Sequence, residues 1–169
     1  MLKKILFFLL FAFLAENMLA QTMEQEANLK AAFIYNFTKY IEWDTNDNDF
    51  TIGVLGNSPI ISSLYEIAKT NTVKNKRIVL KVFSKPENLV HCNILFIPKT
   101  NNFPVQAILE KTDRGMLTIS EEPGMAKQGT AFNFVIINDK LKFEANLRAI
   151  YLAGLKAGSQ LLKLGIIVD

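Results

Sequence analysis

The residues able to do acid–base, nucleophilic or ligand chemistry in this chain are few: one Cys, one His, an acidic pair and a glycine-bearing turn. Cys92 follows His91 directly. Adjacent residues entering a strand point to opposite faces, so the two do not form a nucleophile–base pair. Cys92 opens the apolar run Cys92-Asn93-Ile94-Leu95-Phe96-Ile97 and reads as a buried small hydrophobe, with His91 at the surface or an edge. One His rules out a three-His metal centre, and one Cys rules out an internal disulfide framework, a multi-Cys zinc site and an iron–sulfur cluster. Glu121-Glu122 lies beside Pro123 and Gly124, where adjacent carboxylates are expected to be solvated charges. No second acidic cluster completes a hydrolase. The residues therefore predict no catalytic set, no metal, no cofactor and no enzyme.

Gly53-Val54-Leu55-Gly56-Asn57-Ser58-Pro59 is the one segment with ligand-binding potential. It reads as a strand-to-helix turn, with Ser58 as N-cap and Pro59 at the first helical position. Backbone amides and the helix dipole there could hold an anion. The pattern is neither G-x-G-x-x-G nor a P-loop, and a plain glycine turn explains it as well. In a parallel sheet this turn would meet the loops after the other strands, Lys99-Thr100-Asn101 and Ser120-Glu121-Glu122, at the carboxyl ends where α/β ligands bind. Gly56, Asn57, Ser58, Lys99, Ser120 and Glu121 are the expected lining of a small-ligand pocket.

Protein contact is the other candidate activity. Lys69, Lys74, Lys76, Arg77 and Lys81 form a local basic group, either a plain solvated surface or a patch that steers an acidic partner. The first helix carries Phe33, Tyr35, Phe37, Tyr40 and Trp43. Phe33, Phe37 and Tyr40 fall in its inward sector, whereas Tyr35 and Trp43, with polar Lys39 between them, are candidates for an interface. Tyr35, Lys39, Trp43, Lys74, Lys76 and Arg77 are thus the expected partner surface. The formal charge is only +3, and half of the residues are hydrophobic. A nucleic-acid binder would carry a larger, clustered excess, so none is expected as a partner.

The elements that must position these residues alternate. Ala27, Ala31, Ile34, Phe37 and Ile41 recur at three- and four-residue spacing and predict a helix from Glu24 to about Trp43. Strands are expected at Phe50–Leu55, Arg77–Phe83, Asn93–Ile97 and Met116–Ser120, with helices after Pro59 and Pro104. Phe132–Ile137, Asn138-Asp139 and Lys140–Phe143 read as a hairpin. A last helix is expected from about Glu144 to Leu164, its Gly154-x-x-x-Gly158 pattern packing closely on a neighbour. The class is α/β: three layers, a mostly parallel sheet of about six strands with a late antiparallel hairpin, and helices on both faces.

Residues 1–20 read as a signal peptide. Lys3-Lys4 precedes the apolar run Ile5–Ala15, and small Ala20 precedes Gln21. Eleven residues rise roughly 16 Å as a helix, about half the hydrocarbon thickness, so stable membrane insertion is not expected. Losing Lys3, Lys4 and Glu16 with the leader would leave a nearly neutral exported protein, with residues 21–169 as one domain.

Four blocks of this sequence resemble the YfiR/HmsC-like family of exported bacterial proteins. They are Lys30–Trp43 (KAAFIYNFTKYIEW), Phe50–Gly56 (FTIGVLG), Cys92–Ile97 (CNILFI) and the stretch from Gly129 through Phe143-Glu144-Ala145-Asn146 to Leu161-Leu162. The resemblance covers nearly all of residues 21–169. It implies a periplasmic regulator rather than an enzyme, one that restrains the periplasmic sensor region of a membrane diguanylate cyclase. Loss of that restraint would raise cyclic-di-GMP and favour biofilm. Disulfide-based tuning found in some relatives does not carry over to a chain with Cys92 alone. The alternative reading is a periplasmic small-ligand receptor module serving a histidine kinase or an outer-membrane protein. A second copy of the chain is a further candidate partner.

Overall fold

A computed structural model describes residues 21–43 and 47–168. The expected leader at 1–20 lies outside the described residues. Helix α1, described over 21–37, has the predicted inner stripe: Ala27, Ala31, Ile34 and Phe37 are all buried. It stops six residues earlier than its periodicity suggests. The Thr38, Lys39 and Tyr40 amides turn back to Tyr35, Asn36 and Phe37, a tightening that satisfies the last carbonyls. The chain then forms β1 (Ile41–Glu42), which pairs antiparallel with β9 (Lys156–Ala157). A distant strand thus overrides local helical preference, and Tyr40, expected inward, is 39% exposed.

The remaining elements are β2 (Asp49–Leu55), α2 (Ile60–Thr70), β3 (Thr72–Val73), β4 (Lys76–Phe83), β5 (Ile94–Ile97), α3 (Val105–Leu109), β6 (Leu117–Ser120), β7 (Phe132–Ile137), β8 (Lys140–Asn146), α4 (Leu147–Leu152), α5 (Ser159–Leu162) and β10 (Ile166–Val168). A short 3₁₀ turn at Pro86–Asn88 precedes β5. The main sheet runs β10-β8-β7-β6-β5-β2-β4-β3 and is parallel except at the β7–β8 and β3–β4 pairs. It has eight strands rather than about six. The two unforeseen strands are the edges, β3 and β10, which at two and three residues are too short to show alternation.

Strand alternation divides the interior. Phe50, Ile52, Val54, Ile94, Phe96, Leu117, Ile119, Phe132, Phe134, Phe143 and Ala145 join one core with residues of α1, α2, α4 and α5. Leu55, Phe83, Leu95 and Ile97 join a second with Cys92, Met116, Met125 and residues Val105 and Ile108 of α3. The sheet is therefore the middle of three layers, as expected. Gly53 lies where the second core meets β2: a Cβ there would stand 2.7 Å from the Phe83 ring and 2.9 Å from Cys92 Sγ, so no side chain fits.

The expected last helix is not one helix. β8 continues through Asn146, whose side chain accepts the Ala149 N–H at 2.8 Å and caps α4. Gly154 takes φ +73° and ends that turn, β9 pairs with β1, and Gly158 flanks the start of α5. The two glycines share no helix face, which corrects the packing expected of Gly154-x-x-x-Gly158. Two-residue turns with positive φ, Lys74-Asn75 and Asn138-Asp139, join β3 to β4 and β7 to β8.

Candidate functional site

The order of the strands decides where a site can form. From β2 the chain passes through α2 to β4 on one side, then returns to β5 on the other. Connections that leave in opposite directions open a crevice at the carboxyl ends of the two strands. A cavity of about 100 Å³ lies there. Its lining comes from the loops after β2 (Ser58, Pro59, Ile60), β5 (Lys99, Thr100) and β6 (Glu121), and from Met23, Glu26, Ala27 and Lys30 of α1.

Three of the six residues expected around a pocket, Ser58, Lys99 and Glu121, line this cavity; Gly56, Asn57 and Ser120 do not. Gly56 serves the turn, with φ +84° and its amide donating to Phe83 O at 2.7 Å. Asn57 offers its backbone carbonyl to the Thr100 hydroxyl at 2.9 Å. Ser120 is completely buried, and its hydroxyl is 2.7 Å from Thr130 Oγ1 and 2.8 Å from Asn133 Oδ1. Strand alternation puts it on the face opposite Ile119, away from the crevice. The cap of α2 also differs from expectation: Pro59 is the flanking residue, and Ser58 Oγ accepts the Ile60 amide only at 3.4 Å.

The centre of the site is an ionic cluster. Lys30 Nζ lies 2.5 Å from Glu26 Oε1, one turn back on α1, and 2.5 Å from Glu121 Oε2. The backbone N–H of Lys99 donates to the other oxygen of Glu121 at 3.0 Å. The Lys30 and Glu121 side chains are 9% and 8% exposed, against 39% for Glu26. Burial alone would depress the Lys30 ammonium, but its bonds to Glu121 and Glu26 outweigh that and hold it above the usual lysine range. Glu121 is therefore not the solvated charge that its loop suggested; only Glu122 is exposed. The sequence pointed to this cluster through the i,i+4 spacing of Glu26 and Lys30 and through the expected convergence of the loops bearing Lys99 and Glu121. The same four charged residues, Glu26, Lys30, Lys99 and Glu121, border a larger cleft of about 460 Å³ toward Phe134, Ile136 and Leu141.

Nothing in this arrangement supplies a nucleophile with a base. Cys92 is fully buried, and burial pushes its thiol up to about 12. His91 is exposed, with Nδ1 4.0 Å from Asp113. Among the described residues no group of three His, Cys, Asp or Glu is placed to hold a metal ion.

The residues expected at a partner surface gather toward the other end of the sheet. Tyr35 is half-buried with its hydroxyl 3.4 Å from Thr72 O on β3, and Lys39 Nζ sits 4.9 Å over its ring. Trp43 packs edge-on against Phe50 at 5.0 Å and donates its indole N–H to Asn93 O at 3.1 Å. Lys74 lies in the β3–β4 turn and Lys76 opens β4 just after it. Arg77 grips Asp49 with two bonds of 3.2 and 3.0 Å, which lower the Asp49 carboxyl below its ordinary range. Asp49 pairs with Arg77 at the amino ends of β2 and β4, so Tyr35, Lys39 and the basic hairpin share one corner. Trp43 is anchored in the fold more than it is presented to a partner.

Among the described residues no helix is long and apolar enough to cross a membrane. The family model described as YfiR/HmsC-like matches residues 27–166. No curated protein matches the chain.

Proposed function

The chain belongs to the YfiR/HmsC-like family, and on that premise we propose that it is an exported regulator that binds and restrains the periplasmic sensor region of a membrane signalling protein. The family is one of regulatory periplasmic proteins in the cyclic-di-GMP pathway, and the match over residues 27–166 is the observation that carries the reading. The partner is a diguanylate cyclase-type protein, and its restraint lowers cyclic-di-GMP and disfavours biofilm. The site chemistry is consistent with action by binding, since the buried Lys30 is neutralised by carboxylates, and Cys92, away from the site in the second core, is inert.

The docking surface is the corner holding Tyr35, Lys39, Lys74, Lys76 and Arg77, with Trp43 bracing the chain beneath it. Clustered cations at a sheet edge speed encounter with an acidic surface and add less to the lifetime of the complex. Replacing Lys74, Lys76 and Arg77 by Glu is expected to slow association with the sensor region about tenfold at low salt, the difference shrinking as salt rises. Surface plasmon resonance over a salt series checks this. An association rate that is unchanged at every salt concentration moves the docking surface elsewhere.

The cavity at the strand switch point favours a second, compatible role. A regulator with a small pocket can couple ligand occupancy to partner binding, as a receptor module for a cyclase, a histidine kinase or an outer-membrane protein. Helix α1 supplies the physical link, because it lines the cavity at Met23–Lys30 and carries Tyr35 beyond it.

A further inference from the structure

The Lys30 ammonium at the switch-point cavity is held by two carboxylates of unequal standing. Glu121 is 8% exposed and engaged through both oxygens, by Lys30 and by the Lys99 amide. Glu26 is 39% exposed and reaches Lys30 from one turn back on the same helix. Swinging Glu26 into water therefore costs little desolvation, provided that another anion takes its place on Lys30. Apart from Ser58, Thr100 and the charged groups, the lining is apolar: Met23, Ala27, Pro59 and Ile60. The volume of about 100 Å³ is roughly two-thirds of a cavity of about 150 Å³ that holds benzene, which leaves room for a tail of about three carbons.

We infer that this cavity binds a short aliphatic monocarboxylate, whose carboxylate replaces that of Glu26 on Lys30 and whose tail lies among Met23, Ala27, Pro59 and Ile60. The inference rests on reading the cavity as a ligand pocket and adds the class of ligand. The charges select that class. An ammonium head could reach Glu26 or Glu121 only by displacing Lys30, which already holds both, and would set a second cation beside it. A phosphate dianion would bring a second charge that Lys30, already shared with Glu121, cannot neutralise, against a wall that cannot solvate it. A neutral alcohol would leave Glu26 in place and gain only the burial of its tail. A monocarboxylate exchanges one ion pair for another and adds that burial.

Amide NMR titration of the purified protein with butyrate, butylammonium and 1-butanol, at constant ionic strength, tests this. Butyrate is expected to shift the Ala27, Lys30, Ile60 and Thr100 amides saturably, with butylammonium and butanol far weaker. Glu26→Gln, a change at an exposed side chain, removes the internal competitor and is expected to tighten butyrate about threefold. An equal response to all three probes at these residues overturns the carboxylate inference and leaves the pocket reading standing. No saturable response to any probe overturns both. Unchanged or weaker butyrate binding in Glu26→Gln overturns the replacement of Glu26 on Lys30.

Discussion

Phe37→Ala lowers the unfolding free energy by about 3–5 kcal/mol, and the melting temperature by about 6–20 °C for a domain of this size. Phe37 is 1% exposed, and its ring centroid lies 4.8 Å from that of Phe132, 5.0 Å from Phe143 and 6.1 Å from both Phe33 and Phe134. It joins α1 to the β7–β8 hairpin, so truncation removes transfer energy and leaves a cavity between two elements distant in sequence. Neighbouring aromatic rings are stiff and cannot collapse to fill it. Urea unfolding with an unchanged slope reads the loss directly. A loss below about 1 kcal/mol would mean that the ring cluster repacks freely, against the close packing described for interiors. Because α1 bears Lys30 near one end and Tyr35 toward the other, the same variant weakens both candidate surfaces.

Lys30→Met is the second large effect, a loss of about 3 kcal/mol near neutral pH. The methionine keeps much of the aliphatic stem, so the loss reports mainly the Glu121 carboxylate left buried beside the Lys99 amide alone. The double variant Lys30→Met with Glu121→Gln removes that stranded charge and is expected to be more stable than Lys30→Met by about 1 kcal/mol or more. Strict additivity of the two single losses would show that the pair is not coupled. The pH dependence has a definite sign. The folded-state value of Lys30 is raised above the ordinary 10.5, so the stability it contributes is fully present below 10.5 and is lost as pH rises through the raised value. Wild type therefore loses stability more steeply than Lys30→Met above pH 10.5, which unfolding titrations at alkaline pH detect.

Much of the interior was legible from the chain itself. The inner stripe of α1 and the strands at Phe50–Leu55, Asn93–Ile97 and Met116–Ser120 lie close to where periodicity put them, because apolar repeats of helical or strand period report burial locally. The late hairpin was legible for a different reason, the Asn138-Asp139 turn. The end of α1 and the region after Phe143 were not, because β1 and β9 compete for those backbones from opposite ends of the sequence. Gly154 and Gly158 look like one helical face only if that pairing is unknown. At the site, the expectation of a parallel sheet was enough to bring the loops bearing Ser58, Lys99 and Glu121 together. Neither the depth of Glu121 nor its partner was visible, since 91 residues separate it from Lys30. Ser120 was misplaced by a single alternation of β6, and Trp43 looked like a presented aromatic because its acceptor, Asn93 O, lies 50 residues away.

The central claim is that this protein acts by holding another protein's periplasmic sensor region. Cross-linking in intact cells from the Tyr35, Lys39 and Lys74 positions, followed by mass spectrometry, tests it most directly. The account predicts cross-links to the periplasmic region of one membrane signalling protein, lost when Lys74, Lys76 and Arg77 are replaced by Glu. Cross-links that reach no membrane protein, while the protein is present and folded in the periplasm, would contradict it.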